Sequence, residues 1–328
     1  MRGGRTTNLA LLALVALALV TGAASYAVGT APATTVLTAA HAAAGLALVL
    51  LVPWKRAVAR RGLSRPPHPG RRAGVALAVL LAVTVLAGVL QEVTGFGTLV
   101  GVSPLQVHVL SALLAVPLVA GHLVTHPQRV RRTDLSRRTA GRVALLALGA
   151  LAVQQLTRLL EPTGVPQRTT GSTERGSLEP ADMPVTQWFT DVVPAADQRD
   201  VILRVRGAQV QLGRGTDEVQ AVLDCTGGWY ASRHWTGVRL DRLLGPLPAH
   251  IRSIDVVSVT GYRRRFPVTD APGLLLATSL AGRPLSPGHG GPRRLVAPGR
   301  RGFWWVKWVA SVELSDAQPW QQPPFPLQ

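Results

Sequence analysis

The first half of the chain is dominated by five long apolar stretches separated by short polar or basic segments. Each stretch has about 20 residues, the length that an α-helix needs to cross the hydrocarbon core of a bilayer. The pattern therefore predicts a membrane all-α helical bundle with five spans. The stretches cover residues 8–28, 35–53, 74–93, 104–124 and 143–160.

The second half of the chain has a different hydrophobic pattern, in which the apolar runs are short and β-branched. Such runs are typical of strands, and they are predicted at residues 201–205, 219–223, 254–259 and 306–314. Short helical segments are predicted at residues 238–244 and 271–277. Because no long amphipathic helix separates these runs, we expect a sheet-rich α+β domain.

The basic residues of the first half cluster in alternate loops between the apolar stretches. Residues 1–161 carry 16 Lys and Arg but only three acids, whereas the loops near 29–34 and 94–103 carry no charge. By the positive-inside rule the N-terminus is cytoplasmic, and five crossings place the C-terminal domain outside the plasma membrane. The formal net charge of +18 therefore indicates a multi-pass protein in the lipid bilayer rather than a nucleic-acid binder.

Histidines lie inside two of the predicted spans, where an ionisable side chain is costly and marks a candidate functional site. His41 and His108 each lie about one turn from the outer end of their span, and two facing imidazoles can ligate one haem iron. His122 follows His108 by fourteen residues, but Lys55 occupies the matching position after His41. We therefore expect one haem b on His41 and His108. The alternative is that these histidines only hydrogen-bond across helices.

Cys225 is the only cysteine in 328 residues, so it forms no disulfide within the chain. It is either a buried small hydrophobe or a thiolate used for chemistry. Gly227 and Gly228 follow it directly, and they allow the backbone to turn sharply and a ligand to approach the main chain. Trp229 and Trp235 add wide aromatic walls. Spacing alone leaves both interpretations open.

An ordered set of motifs follows the cysteine. A Trp-x-Gly-x-x-Leu segment begins at Trp235, a His-Gly-Gly-Pro-x-Arg run begins at His289, and a Pro-Gly loop leads into Val-Lys-Trp around Lys307. In this order the motifs resemble the molybdopterin-binding domain of the sulfite oxidase family, which includes the periplasmic methionine sulfoxide reductases. The resemblance covers roughly residues 186–314.

This resemblance implies a sulfite-oxidase-like fold in which the Cys225 thiolate ligates molybdenum at the catalytic centre. It also implies contacts from this chain to the molybdenum cofactor, molybdopterin. The residues concerned are Cys225, His289, Arg294, Gly299, Gly302 and Lys307. A separate reading of the charges makes Arg233, His234 and the arginines at 263–265 candidates for steering an anionic substrate.

Together these features predict a membrane-anchored oxidoreductase acting on sulfite or a small S- or N-oxide. Residues 1–161 form the membrane domain, 162–185 an exposed linker and 186–328 the extracytoplasmic domain. Electrons pass through haem b to or from membrane quinone, and we expect a monomer. The alternatives are a molybdoenzyme with a haem-free anchor, and a non-catalytic membrane protein that retains the fold.

The export route generates the first testable prediction. Residues 136–142 read SRRTAGR and resemble a twin-arginine signal, placed just before the predicted fifth span. A domain that binds its cofactor in the cytoplasm must cross the membrane folded, as the twin-arginine route allows. Changing Arg137 and Arg138 to lysine preserves every charge, so the positive-inside rule predicts no effect. We expect instead that the C-terminal domain stays inside, protected from external protease; normal export would contradict the assignment.

Overall fold

The structure is a computed structural model that describes most of the chain. The described residues are 5–64, 70–98, 101–125, 127, seven positions between 141 and 152, 166–188, 191–213 and 215–326. The chain divides into two compact units: a membrane unit ending at Gly171, and a C-terminal unit that runs from Ser172 and includes Ala27–Thr30.

The described part of the membrane unit contains four helices that are long and apolar enough to cross a bilayer. They confirm four of the five predicted spans as long apolar helices. The fifth predicted span, the twin-arginine segment and His126 lie wholly or largely outside the described residues. The helices are α1 (Arg5–Ala27), α2 (Ala33–Leu50), α4 (Arg71–Thr94) and α5 (Pro104–Thr125), with the shorter basic helix α3 (Val52–Leu63) between α2 and α4.

The C-terminal unit is built from two mixed β-sheets, which confirms the expected α+β class. In the first sheet the order is β1-β5-β8-β10, with β4 also paired to β5 and β9 to β8; in the second it is β3-β2-β11-β6-β7. The strands are β1 (Thr173–Glu174), β2 (Leu203–Val205), β3 (Ala208–Val210), β4 (Asp217–Asp224), β5 (Trp229–Arg239), β6 (Ser253–Ser258), β7 (Arg263–Pro267), β8 (Leu275–Leu280), β9 (Arg283–Pro284), β10 (Arg294–Val296) and β11 (Val309–Ser315). This unit also contains two short α-helices, α6 (Ala196–Arg199) and α7 (Leu240–Leu244).

Strand pairing corrects the two helical segments predicted in this unit. The segment predicted at 238–244 continues β5 as far as Arg239 and becomes helical only in α7. The segment predicted at 271–277 ends a 3₁₀ turn at Gly273 and then enters β8. Leu275, Leu276 and Ala277 are fully buried between β5 and β10. Burial of both sheet faces therefore decides their structure over local propensity.

The stretch predicted as an exposed linker belongs in part to the C-terminal unit. Thr173 and Glu174 pair in parallel with Trp229 and Tyr230 of β5. Ser172, Thr173 and Met183 are buried. The folded unit thus begins at Ser172, before the predicted boundary at residue 186, because this polar segment satisfies its backbone groups in the sheet.

Candidate functional site

The turn between β4 and β5 presents Cys225. Its backbone N–H donates to Trp229 O at 2.8 Å, and Gly228 N–H donates to Cys225 O at 3.1 Å. Gly228 has a φ of 96°, a left-handed conformation that favours glycine. Within this closed turn, Gly227 N–H points at the sulfur, with N and Sγ 3.3 Å apart. The thiol is half-buried, so a ligand can reach it.

The side chain of Thr186 contacts the thiol, and sequence reasoning missed it. Its Oγ1 lies 3.2 Å from Cys225 Sγ. Its carbonyl accepts a hydrogen bond from Lys307 Nζ at 2.8 Å. Thr186 therefore connects the cysteine with the lysine of the Val-Lys-Trp motif. A lone threonine carries no sequence signal for such a role, since long-range packing alone brings it there.

Two basic side chains lie in the interior near this thiol. Lys307 Nζ also donates to Gly288 O at 2.6 Å, and burial lowers the Lys307 pKa to about 7. Arg294 is 3% exposed, donates to His289 O at 3.2 Å, and has its pKa lowered by burial to about 10. The Arg294 guanidinium carbon lies 5.6 Å from the ring centroid of Trp235, so the predicted aromatic wall contacts a cation. Arg294 and Lys307 face each other as a bridge pair between neighbouring segments.

His289 joins this site through its ring nitrogens. Its Nε2–H donates to Met183 O at 3.0 Å, while Nδ1 accepts from the Ser286 hydroxyl at 2.8 Å. Burial lowers the His289 pKa, and the positive charges of Arg294 and Lys307 lower it further. The neutral ring thereby fixes the 183–186 segment, including Thr186, beside the cysteine turn.

A strained residue follows Lys307. Trp308 has a φ of 50°, which is uncommon for a bulky side chain, and it is 1% exposed. Its Nε1–H donates to Pro287 O at 2.8 Å, and its backbone N–H donates to Gly290 O at 3.2 Å. Such strained positions persist only where the surroundings hold them, and they cluster at functional sites.

A buried ion pair links the cysteine turn to the loop of residues 299–302. Arg301 Nη1 donates to Asp224 Oδ1 at 2.5 Å, and both side chains are almost completely buried. Ser172 donates to the same carboxylate oxygen at 2.8 Å. A Cβ at Gly302 would lie 3.0 Å from Cys225 Cα, so glycine permits this close approach. The loop that the sequence assigns to the cofactor therefore lies directly against the cysteine.

The chemistry of this site fits an anionic cofactor with many hydrogen-bond acceptors. The buried donors without a hydrogen-bond partner among the described residues include Arg294 Nε, Arg301 Nε, Trp229 Nε1 and Gln187 Nε2. Buried donors without partners are costly, and a bound cofactor would satisfy them. The described residues contain no cluster of three or more metal-ligating side chains. The free cysteine is the soft ligand that this site offers.

The arginines expected to steer substrate are mostly engaged inside the domain. Arg265 forms a two-pronged ion pair with Asp255 at 2.7 Å. Arg264 is 2% exposed and stacks 4.1 Å from the Trp304 ring centroid. Arg233 is 7% exposed and donates to Leu178 O, while its Nε and Nη2 have no partner among the described residues. Of the five residues predicted to steer substrate, two are exposed: Arg263 and His234, which follows Arg233 in the chain.

The two histidines predicted as haem ligands face each other within the membrane unit. The ring centroids of His41 and His108 lie 5.6 Å apart with an interplanar angle of 86°. His41 Nδ1 donates to Ala18 O at 2.9 Å, and His108 Nδ1 donates to Thr84 O at 2.7 Å. Both rings thus also make the cross-helix hydrogen bonds that the alternative interpretation requires.

The comparison with protein families identifies a known domain within the C-terminal unit. The family model "Oxidoreductase molybdopterin binding domain" matches residues 192–322. The nitrate reductase [NADPH] of Mycosarcoma maydis is 42% identical over 59 residues, which are 18% of this chain and 6% of that protein. The sulfane dehydrogenase SoxCD of Paracoccus pantotrophus is 22% identical with a TM-score of 0.34, over 38% of this chain and 40% of that one. This chain thus spans less than half of each relative.

The depressed pKa of Lys307 predicts how the cofactor-free protein responds to pH. The folded-state pKa is about 7, whereas an exposed lysine titrates near 10.4. Between these values the unfolded chain binds more protons, so the free energy of unfolding rises with pH from about 7 to about 10. We expect this rise in thermal melts of the wild type without cofactor. The Lys307→Met variant should lack most of this rise in stability. If stability rose equally with pH in both proteins, the lowered pKa of Lys307 would be contradicted.

Proposed function

We propose, from the premise that residues 192–322 form a molybdopterin-binding oxidoreductase domain, that this chain is a membrane-anchored enzyme acting on sulfite or a small S- or N-oxide. We propose further that the membrane unit would hold a haem b, which would supply one-electron transfer to or from membrane quinone. The observation that carries the proposal is the half-buried Cys225 thiol beside two buried basic side chains and several donors without partners among the described residues.

Cys225 supplies the thiolate ligand for molybdenum. Soft thiolates suit such a metal, and the bound cofactor would supply two-electron redox chemistry. The Gly227 amide and the Thr186 hydroxyl lie 3.3 and 3.2 Å from the sulfur and hold it in position. The Asp224–Arg301 ion pair fixes the turn that carries the sulfur. These contacts hold the ligand in place before the metal arrives.

Arg294 and Lys307 provide the positive charge that an anionic pterin phosphate requires. Lys307 has a pKa of about 7 in the cofactor-free protein, so an approaching anion would raise that pKa and draw a proton onto the amine. Arg294 has a spare Nε donor and stays charged at neutral pH. His289 positions the 183–186 segment, and the loop from Gly299 to Gly302 brings main-chain amides to the cysteine turn.

The membrane unit serves as both anchor and electron carrier in this proposal. His41 and His108 provide two imidazoles at a spacing that suits one metal between them. A basic α3 and the uncharged loop near 29–34 favour a cytoplasmic N-terminus and an extracytoplasmic C-terminal unit in the plasma membrane. We propose a monomer that exchanges electrons with quinone in the bilayer.

The role of Cys225 generates one prediction. Cys225→Ser should leave a folded domain, judged by tryptophan fluorescence, but turnover of every substrate should fall below detection. The reason is that a hydroxyl is a harder and far less acidic ligand than a thiol. Thr186→Ser is the matched control, because it keeps an oxygen near the sulfur and should retain activity. Full activity in the Cys225→Ser protein would remove molybdenum ligation by this residue from the account.

The haem generates a second prediction. Membranes that contain the protein should show a b-type reduced-minus-oxidised spectrum. We expect His41→Ala and His108→Ala to abolish it, because each removes one of the two imidazoles that would hold the haem iron. His122→Ala serves as the control and should keep the spectrum. A signal that depends on His122 and not on His41 would contradict the ligand assignment, and the absence of haem from the wild type would favour a haem-free anchor.

A further inference from the structure

The helices around the two membrane histidines repeat one local arrangement. In the first copy, His41 of α2 donates from Nδ1 to the carbonyl of Ala18 in α1, and its ring lies against Gly22, four residues later. In the second copy, His108 of α5 donates from Nδ1 to the carbonyl of Thr84 in α4.

The second ring likewise lies against a glycine, Gly88, which again follows the accepting residue by four. A carbonyl and a glycine separated by four residues lie on the same face of a helix, one turn apart. Each histidine therefore donates one hydrogen bond to a neighbouring helix and packs against a glycine of that same helix.

Steric contact explains why both of these positions are glycine. A Cβ built on Gly22 would lie 2.8 Å from His41 Cε1, and one on Gly88 would lie 2.8 Å from His108 Nδ1. Carbon and nitrogen atoms pack at about 3.5–4.0 Å, so a methyl group at either position would push the imidazole away from its carbonyl. Glycine in mid-helix otherwise costs about 1 kcal/mol relative to alanine, which makes its presence at both equivalent positions informative.

The hydrogen bonds also set the tautomer of both rings. Because the carbonyl oxygens can only accept, Nδ1 carries the proton and Nε2 keeps the lone pair that ligates a metal. Two imidazoles on opposite sides of one metal, with bonds of about 2 Å, have ring centroids about 6 Å apart. The observed separation of 5.6 Å is close to this value.

We propose that Gly22 and Gly88 are positioning residues that, in two copies of one helix-pair arrangement, hold His41 and His108 as equivalent Nε2 ligands. The proposal rests on the haem proposed above. It assigns the site a symmetric pair of histidines, each with its own carbonyl and glycine. Neither glycine touches the metal; each acts through the imidazole that lies on it.

The experiment compares four single variants of the full chain in membranes. Gly22→Ala and Gly88→Ala add a methyl group against an imidazole. Gly45→Ala in α2 and Gly121→Ala in α5 are matched controls, because a Cβ there meets no atom within 4 Å. The readouts are the haem-to-protein ratio and the low-spin bis-histidine signal in electron paramagnetic resonance. We expect the first two variants to lose about 10-fold in low-spin haem, as for other residues that orient metal ligands, and the controls to match the wild type.

A double-mutant cycle tests the contact without relying on haem. Gly22→Ala is introduced into the wild type and into His41→Ala, and thermal stability is measured for all four proteins. We expect the destabilisation by Gly22→Ala to disappear when the imidazole is absent; a cost that persists would overturn the proposal even if the single variant accumulates poorly. A haem-loaded wild type whose four glycine variants all behave alike would overturn this proposal only. A wild type without haem would instead refute the proposed electron path.

Discussion

Buried positive charge next to a single thiol is the constraint around which the C-terminal unit is arranged. Within the described residues, neither Arg294 nor Lys307 forms an ion pair; carbonyl oxygens and aromatic rings surround them instead. Burying a cation without a counter-ion is costly, and here the cost appears as a Lys307 pKa of about 7. An anion bound beside Cys225 would remove that penalty. Arg294 and Lys307 thus destabilise the cofactor-free fold and favour cofactor binding. The two sheets, the ion pair at Asp224 and the strained Trp308 backbone hold the surrounding segments in place.

In both units, hydrogen bonds to the backbone or to a neighbouring side chain orient a buried or half-buried polar side chain. In the membrane unit each polar ring meets a backbone carbonyl of a neighbouring helix, which limits the cost of placing histidine in an apolar span. In the C-terminal unit the segment around Thr186 crosses from the start of the domain to the cysteine turn. In both cases hydrogen bonds fix the orientation of a side chain that the proposed function uses as a metal ligand, His41 and His108 in one unit and Cys225 in the other. Preorganisation of this kind is what sites for metals require.

Prediction from the sequence worked best where a residue type is rare or an apolar stretch is long. Hydropathy located four described helices. The single cysteine pointed to the turn around which the candidate site is described. Prediction failed where tertiary pairing decided the outcome, as when Leu275–Leu280 entered the sheet and Thr173 paired with β5. Thr186 and the Asp224–Arg301 pair were missed because a threonine, an aspartate and an arginine are common, and only the fold brings them to the cysteine. The motif order found Arg294 and Lys307, although their burial and lack of ion pairing were visible only in the structure.

The most direct test of the central claim is the metal and pterin content of the full chain purified from membranes. The account predicts molybdenum and pterin in equimolar amounts with the protein. It also predicts that molybdenum K-edge absorption shows a sulfur ligand that is lost in Cys225→Ser, since Cys225 is the single cysteine of the chain. Purified wild type that contains neither molybdenum nor pterin, although it is folded and was produced in cells that make the cofactor, would contradict the account and leave a membrane protein that retains the fold without the chemistry.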